Sequence, residues 1–238
     1  MNLILTMAGL YQRFASEGFK IPKYLLPWGD KTILAEILIE LNKDDAFKNI
    51  LLVANKKDEA YFPHVRAIMK SNGISNANLI EISNTSGQAQ TAMIGIEALK
   101  SIADNENSPI AFHNIDTILL NRNFSHVPSL MQVNFGYIDI FKANNKAYSY
   151  VLTDHNARIT SITEKIVVSN SATSGFYVFR NPALFKQYFH KDDLYISSLF
   201  ARLINDDKNI IASDLHKEDD TIVLGTPMEY INASSTML

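Results

Sequence analysis

The sequence contains no cysteine, which excludes a disulfide framework, a thiolate zinc site, an iron–sulfur cluster and a cysteine nucleophile. Surplus positive charge is missing too. Its 22 Lys and Arg stand against 25 Asp and Glu, a formal charge of −3, and no long basic block occurs, so the field that draws nucleic acid is absent. The longest apolar stretches, such as Asn49-Ile-Leu-Leu-Val-Ala54, fall far short of the roughly 20 residues that cross a bilayer. No Lys or Arg precedes Arg13, so the N-terminus does not read as a signal peptide. A cytoplasmic protein without membrane insertion is expected. The histidines, His64, His113, His126, His155, His190 and His216, show neither H-x-H nor H-E-x-x-H spacing, which leaves a zinc centre unsupported.

What is present is the composition of a globular protein: 238 residues, 47% hydrophobic and 10% aromatic. In the first half short apolar runs alternate with helical spacing, the pattern of βαβ units. Strands are predicted over Asn2–Thr6, Asn49–Ala54, Asn78–Ile82 and Pro109–His113. Between them lie a helix over Thr32–Leu41, a polar helix, and a helix carrying Ala92, Met93, Ile96 and Leu99. In the second half Phe135–Phe141, Ala147–Leu152 and Arg158–Thr163 read as strands joined by Asn- and Asp-containing turns. Helical spacing returns at Ile196, Leu199, Phe200, Leu203 and Ile204, and Thr226-Pro227-Met228-Glu229 opens a last helix with a Thr N-cap, a Pro and a Glu three residues on. The predicted fold is α/β: a Rossmann-like mixed, mainly parallel sheet flanked by helices, with a small antiparallel β extension. No repeat or linker divides the chain, so residues 1–238 read as one domain.

Ligands meet such a sheet at the carboxyl ends of its strands. The first strand runs into Met7-Ala-Gly-Leu-Tyr-Gln-Arg-Phe14, followed by Ile21-Pro-Lys-Tyr-Leu-Leu-Pro-Trp-Gly29. Ala8 and Gly9, ahead of Leu10, carry no bulky side chain and let backbone N–H groups approach phosphate. Arg13 and Lys23 put two positive charges over the same place, Arg as a two-oxygen grip and Lys as a point charge. Plainer readings stand beside these. Gly9 also suits a tight turn, Arg13 and Lys23 a solvated surface, and Asp116 a cap after a strand. Glu164-Lys165 suits a strand end, Gly87-Gln88-Ala89 a helix start, and Gly175 a bulge or a close approach inside a strand. Asp44-Asp45, Asp192-Asp193 and Asp206-Asp207 read as solvated turns and helix starts without chemistry. Trp28, Tyr188 and Phe189 read as packing groups.

The first loop resembles the sugar-phosphate nucleotidyltransferases, or nucleoside-diphosphate-sugar pyrophosphorylases, whose signature runs Ala-Gly-x-Gly-x-Arg-[Leu/Phe] and then Pro-Lys. The resemblance extends to Thr85-Ser-Gly-Gln-Ala89, Asn114-Ile-Asp116, Thr163-Glu-Lys165, Ser174-Gly-Phe-Tyr-Val-Phe179 and Gly225-Thr-Pro-Met-Glu-Tyr230. It is nearest the compact capsule- and lipopolysaccharide-type members. It implies that Arg13 and Lys23 bind the triphosphate of an NTP and promote transfer. By the same resemblance Ala8, Gly9, Leu10, Gly87 and Gln88 bind the nucleotide, and Asp116 holds Mg2+. Glu164, Lys165 and Gly175 face a phosphorylated small-molecule acceptor such as a sugar phosphate. Residues 1–133 would then be a nucleotide-binding half and 134–238 an acceptor-binding half. A homo-oligomer is compatible with this reading.

Two positions depart from the family pattern. Tyr11 replaces the second loop glycine, so the backbone cradle is looser there or the phenol takes part by stacking or hydrogen bonding. Val223 stands where the second magnesium Asp belongs, leaving Asp219 or Asp220, or water and phosphate oxygens, to complete the shell. Two rivals follow: a nucleotide-sugar glycosyltransferase, for which Asn114-Ile-Asp116 is a degenerate Asp-x-Asp, and a catalytically silent nucleotide-binding protein.

Overall fold

Residues of the two central strand runs are almost wholly buried, as continuous apolar strands must be when helices cover both faces of a parallel sheet. The structure, a computed structural model, describes residues 1–101 and 106–236. The first half comprises β1 (Asn2–Met7), α1 (Gln12–Ser16), β2 (Pro27–Trp28), β3 (Lys31–Thr32), α2 (Ile33–Leu41), β4 (Asn49–Asn55), α3 (Phe62–Ser71), β5 (Ala77–Ile82), α4 (Gln88–Leu99), β6 (Ile110–Asn114) and β7 (Thr117–Leu119). The chain continues with α5 (Val127–Leu130), β8 (Gly136–Lys142), β9 (Ser149–Thr153), β10 (Ile159–Glu164), β11 (Ser171–Phe179), α6 (Pro182–Tyr188), α7 (Ile196–Asn205), β12 (Ile210–His216), β13 (Thr221–Val223) and α8 (Pro227–Ser235).

Nine strands form one sheet in the order β10-β9-β11-β6-β1-β4-β5, with β8 paired to β11 and β12 paired to β8. The pairs β6–β1, β1–β4 and β4–β5 are parallel, whereas β11 runs antiparallel to β6, β8 and β9, and β9 antiparallel to β10. The expected mainly parallel α/β sheet with an antiparallel extension is therefore observed. Alternation along β1 sends Leu3, Leu5 and Met7 into one core with α2 and α3, and Ile4 into the other with α4, α6 and α7. Thr32 is not the first helical residue of α2 but its N-cap, its Oγ1 accepting from the Ala35 N–H at 3.2 Å. Thr226 caps α8 in the same way, accepting from the Glu229 N–H at 3.2 Å. The segment after β4 begins as a tight 3₁₀ turn over Lys56–Tyr61 before α3. Strands β2, β3, β7, β11, β12 and β13 lie outside the strands predicted above.

Asp193 corrects one expectation: it is buried and ion-paired with Arg202. Asp44 also has a structural task, accepting from the Phe124 N–H.

A buried polar assembly surrounds Arg122 and Asp139, whose side chains are 2% and 0% exposed. Arg122 Nε and Nη2 reach Asp139 at 3.2 and 3.3 Å, Nη1 donates to the Leu120 and Asp220 carbonyls at 2.9 and 3.0 Å, and Nη2 donates to Thr221 Oγ1 at 2.6 Å. His216 Nε2 lies 3.3 Å from Asp139. Burial opposes the charge on Asp139, but His216 and Arg122 together hold its carboxyl below the usual range. This network fastens the β7–β13 ribbon to β8. Replacing Arg122 with Ala would strand a buried carboxylate, and urea unfolding is expected to show a loss of about 3–5 kcal/mol.

His113 on β6 is fully buried and its Nε2 lies 2.7 Å from the Thr117 carbonyl, which can only accept, so Nε2 carries the proton. Burial lowers its pKa. The unfolded chain therefore takes up a proton at a pH where the folded one does not, so this contribution is full above about pH 6.5 and is lost as pH falls below it. Unfolding free energy should drop between pH 7 and 5, and His113→Gln, which keeps a donor for Thr117, should flatten that part of the curve.

Candidate active site

Strand β1 leads to β4 on one side while β6 returns on its other side, and such a reversal opens a crevice at the carboxyl ends of the strands. A cavity of about 510 Å³ occupies it. Ala8, Gly9 and Leu10 from the loop after β1 line this space, with Arg13 from α1, Lys23 from the following 3₁₀ turn, and Gly87 and Gln88 from the start of α4. A second cavity, about 280 Å³, lies beside it and takes in Glu164, Lys165 and Gly175. Arg13, Gln88, Asn114, Asp116, Tyr195 and Gly225 line both. The residues expected around the nucleotide and those expected around the acceptor thus line neighbouring spaces with a common wall.

At that wall Lys23 Nζ lies 2.6 Å from Asp116 Oδ2, with the two side chains 15% and 25% exposed. Burial works against the charge of Asp116, and the Lys23 ammonium overcomes it, holding the carboxyl below its ordinary range. The Asp116 side-chain Oδ2 goes to Lys23 rather than to a cap, and its backbone carbonyl accepts from the Leu224 N–H at 2.7 Å. Arg13 is exposed, anchored by the buried Phe14 beside it, and its guanidinium has no ion pair among the described residues.

Gly87 is the N-cap of α4, packed so closely on Leu194 that a Cβ would strike the Leu194 backbone. Gln88 donates to the Asn114 side chain and accepts from the Ile196 N–H at 3.3 Å, so α4 and α7 are keyed to the end of β6. Gly175 shows both features that its type suggested. It sits where the β11–β8 register shifts, at φ 85°, and a Cβ there would collide with the Asn114 amide. On the acceptor side Glu164 accepts from Ser149 and, at 2.9 Å, from Ser197 Oγ. Lys165, at φ 58° just past β10, donates to Tyr195 Oη at 3.1 Å.

Several lining residues escaped the sequence reading. Tyr195, Thr173 and Ser197 sit in no recognisable motif, and only the fold brings them to the second cavity; Tyr177, within the Ser174–Phe179 motif, lines it too. Glu229 was read as a capping residue; its Oε2 accepts from Thr226 Oγ1 at 2.9 Å, and it also lines that cavity. The suggestion that Asp219 or Asp220 completes a metal shell is not supported. They precede β13, and Asp220 accepts from Asn121 at the end of the ribbon away from Val223, which pairs with Thr117 beside the site. Neither lines either cavity. Asp116 is a carboxylate held in its ionised form, the donor type a hard dication takes, but Lys23 already occupies its Oδ2, so a metal there would have to use Oδ1 or displace the ammonium. Among the described residues no three acidic or imidazole groups converge for metal binding, so Mg2+ at Asp116 would draw remaining ligands from water and phosphate oxygens.

No helix among the described residues is long and apolar enough to cross a membrane. Comparison of the chain with protein families matches the nucleotidyl transferase model over residues 12–238. No curated protein sequence matches it. Among solved structures it is similar to a nucleoside-diphosphate-sugar pyrophosphorylase from Vibrio cholerae RC9, with 26% identity, a TM-score of 0.84, and coverage of 98% of this chain and 99% of that one. A UDP-glucose pyrophosphorylase complexed with UDP-glucose shares the fold at 19% identity and a TM-score of 0.76, covering 99% of this chain and 97% of that one. So does the inositol-1-phosphate CTP transferase from T. maritima, at 15% identity and a TM-score of 0.71, with 99% and 94% covered. A family match from the end of the first loop to the last residue, on a fold shared over nearly the whole length, means that the chain belongs to the nucleotidyl transferase family.

Proposed function

We propose that this nucleotidyltransferase moves a nucleoside monophosphate from an NTP to a sugar phosphate, or a closely similar phosphorylated polyol, and releases pyrophosphate. The observation that carries this reading is the shared wall: a loop-lined cavity and a second polar cavity meet at Arg13, Gln88, Asn114 and Asp116. Two anions brought to one place need cations around them, and Arg13 at the wall, Lys23 in the first cavity and Lys165 in the second supply them. The relatives named for sugar nucleotides and inositol phosphate support the acceptor class. An enzyme of this kind draws on cytoplasmic NTPs and supplies activated sugars for polysaccharide or surface-glycan assembly.

In the reaction a phosphate oxygen of the acceptor attacks the α-phosphorus, a P–O bond forms, and the bond to the β-phosphate oxygen breaks with its electron pair leaving on pyrophosphate. No protein nucleophile is needed, because alignment and charge neutralisation do the catalysis. Arg13 holds the departing pyrophosphate, Lys23 the α-phosphate, and Lys165 the acceptor phosphate. Ala8, Gly9 and Leu10 pass backbone against the triphosphate, while Gly87 and Gln88 flank the base. Glu164 and Gly175 shape the acceptor side. Mg2+ at Asp116, when bound, supplies charge that offsets the triphosphate.

Incubation with each common NTP, a panel of sugar and polyol phosphates and Mg2+ should release pyrophosphate; no release across the panel would count against catalysis. NTP should raise the melting temperature more than a nucleotide sugar does, the reverse of what a glycosyltransferase would show. Arg13→Ala should lower kcat/KM about 100- to 1000-fold, with an unchanged circular dichroism spectrum because the residue is exposed. A mutant as fast as the wild type would remove Arg13 from the mechanism.

A further inference from the structure

Asp58 lies in the charged run Lys56-Lys57-Asp58-Glu59, yet it is 0% exposed. Its two carboxylate oxygens are taken by two phenols: Tyr11 Oη donates to Oδ1 at 2.6 Å and Tyr24 Oη to Oδ2 at 3.1 Å. Burial and the adjacent Asp58 raise the pKa of both phenols, so both remain donors. Tyr11 is the N-cap of α1, which carries Arg13, and Tyr24 follows Lys23 in the 3₁₀ turn. One buried carboxylate therefore joins the two elements that present the two cations.

The grip extends along the loop. Asn55 Nδ2 donates to the Ala8 carbonyl at 3.2 Å and Lys57 Nζ donates to the Leu10 carbonyl at 3.0 Å, with the same ammonium 3.7 Å from the centre of the Tyr11 ring. Both peptides are trans, so the N–H groups of Gly9 and Tyr11 point opposite to the tethered carbonyls. Gly9 and Tyr11 line the larger cavity, and neither N–H has a protein acceptor among the described residues. Tyr11 adopts φ 35° and ψ 39°, a left-handed setting that a bulky residue keeps only when its surroundings enforce it. Asp58 and Lys57 are that enforcement.

We propose, on the basis of the reading above, that Asp58 is a positioning residue for nucleotidyl transfer: by bonding Tyr11 and Tyr24 it sets the phosphate loop, Arg13 and Lys23 in the one arrangement that receives a triphosphate. The tyrosine in place of a loop glycine is then no defect in the cradle, because its side chain fastens the loop to the end of β4.

Isothermal titration with ATP, CTP, GTP, UTP and dTTP in the presence of Mg2+ tests this. For the NTP that binds the wild type best, Tyr11→Phe and Asp58→Asn should each raise Kd about tenfold with an unchanged number of sites. Asp58→Asn, which keeps one accepting oxygen, should lose less than Asp58→Ala. A role limited to stability would instead lower the number of competent sites and leave Kd alone, and that result overturns the proposal. Unchanged Kd in Tyr11→Phe, the variant least able to unfold the chain, overturns it too. A wild type that binds none of the five triphosphates overturns the functional reading, and the proposal with it.

Discussion

The ion pair between Lys23 and Asp116 joins chain positions 93 residues apart at 2.6 Å, and the two cavities are organised about it. A carboxylate half withdrawn from water is unfavourable without a partner. Its partner here stands on the loop system of the first strand, while Asp116 stands at the end of the sheet's fourth parallel member. The parallel register that sets Thr6 opposite Asn114 brings those ends together. A slip of that register would separate the charges and close the common wall.

Rigidity behind this contact comes from buried polar groups rather than from the apolar core alone. Arg122 spends its donors on Asp139, on Thr221 and on two carbonyls of the β7–β13 ribbon. That ribbon ends at Leu224, whose N–H holds the Asp116 carbonyl. On the acceptor side Gly175 lets Asn114 approach β11, and Gln88 then links Asn114 to the backbone that begins α7. The wall between the cavities is thus built from contacts among β6, α4, β11 and the ribbon, each from a different part of the chain.

Much of this was legible in the sequence because local chemistry dictates it. Apolar runs of strand length, alternating with helices whose apolar residues recur at helical spacing, specify buried parallel strands and their crossovers. The Thr-Pro-x-Glu start of α8 specifies a helix end, and small residues after β1 specify a loop that can lie close to a ligand. Charge patterning misled at Asp193, where burial overrode it and Arg202 compensates it. Asp58, in a polar run of its own, is likewise buried because two phenols from elsewhere in the chain compensate it. Nothing local marks such a residue, since its solvent is supplied by other elements.

By itself the sequence determined the α/β character, the loop after the first strand and the residue types able to handle phosphate, since these follow from periodicity and side-chain chemistry at short range. Only the tertiary structure decided which charges meet. It paired Lys23 with Asp116, set Glu229 rather than Asp219 or Asp220 beside the second cavity, and drew Tyr195 between the two spaces. The physical reason is that electrostatic and hydrogen-bond energies depend on distances of a few ångströms, and for residues remote in the chain those distances are fixed by strand order and packing.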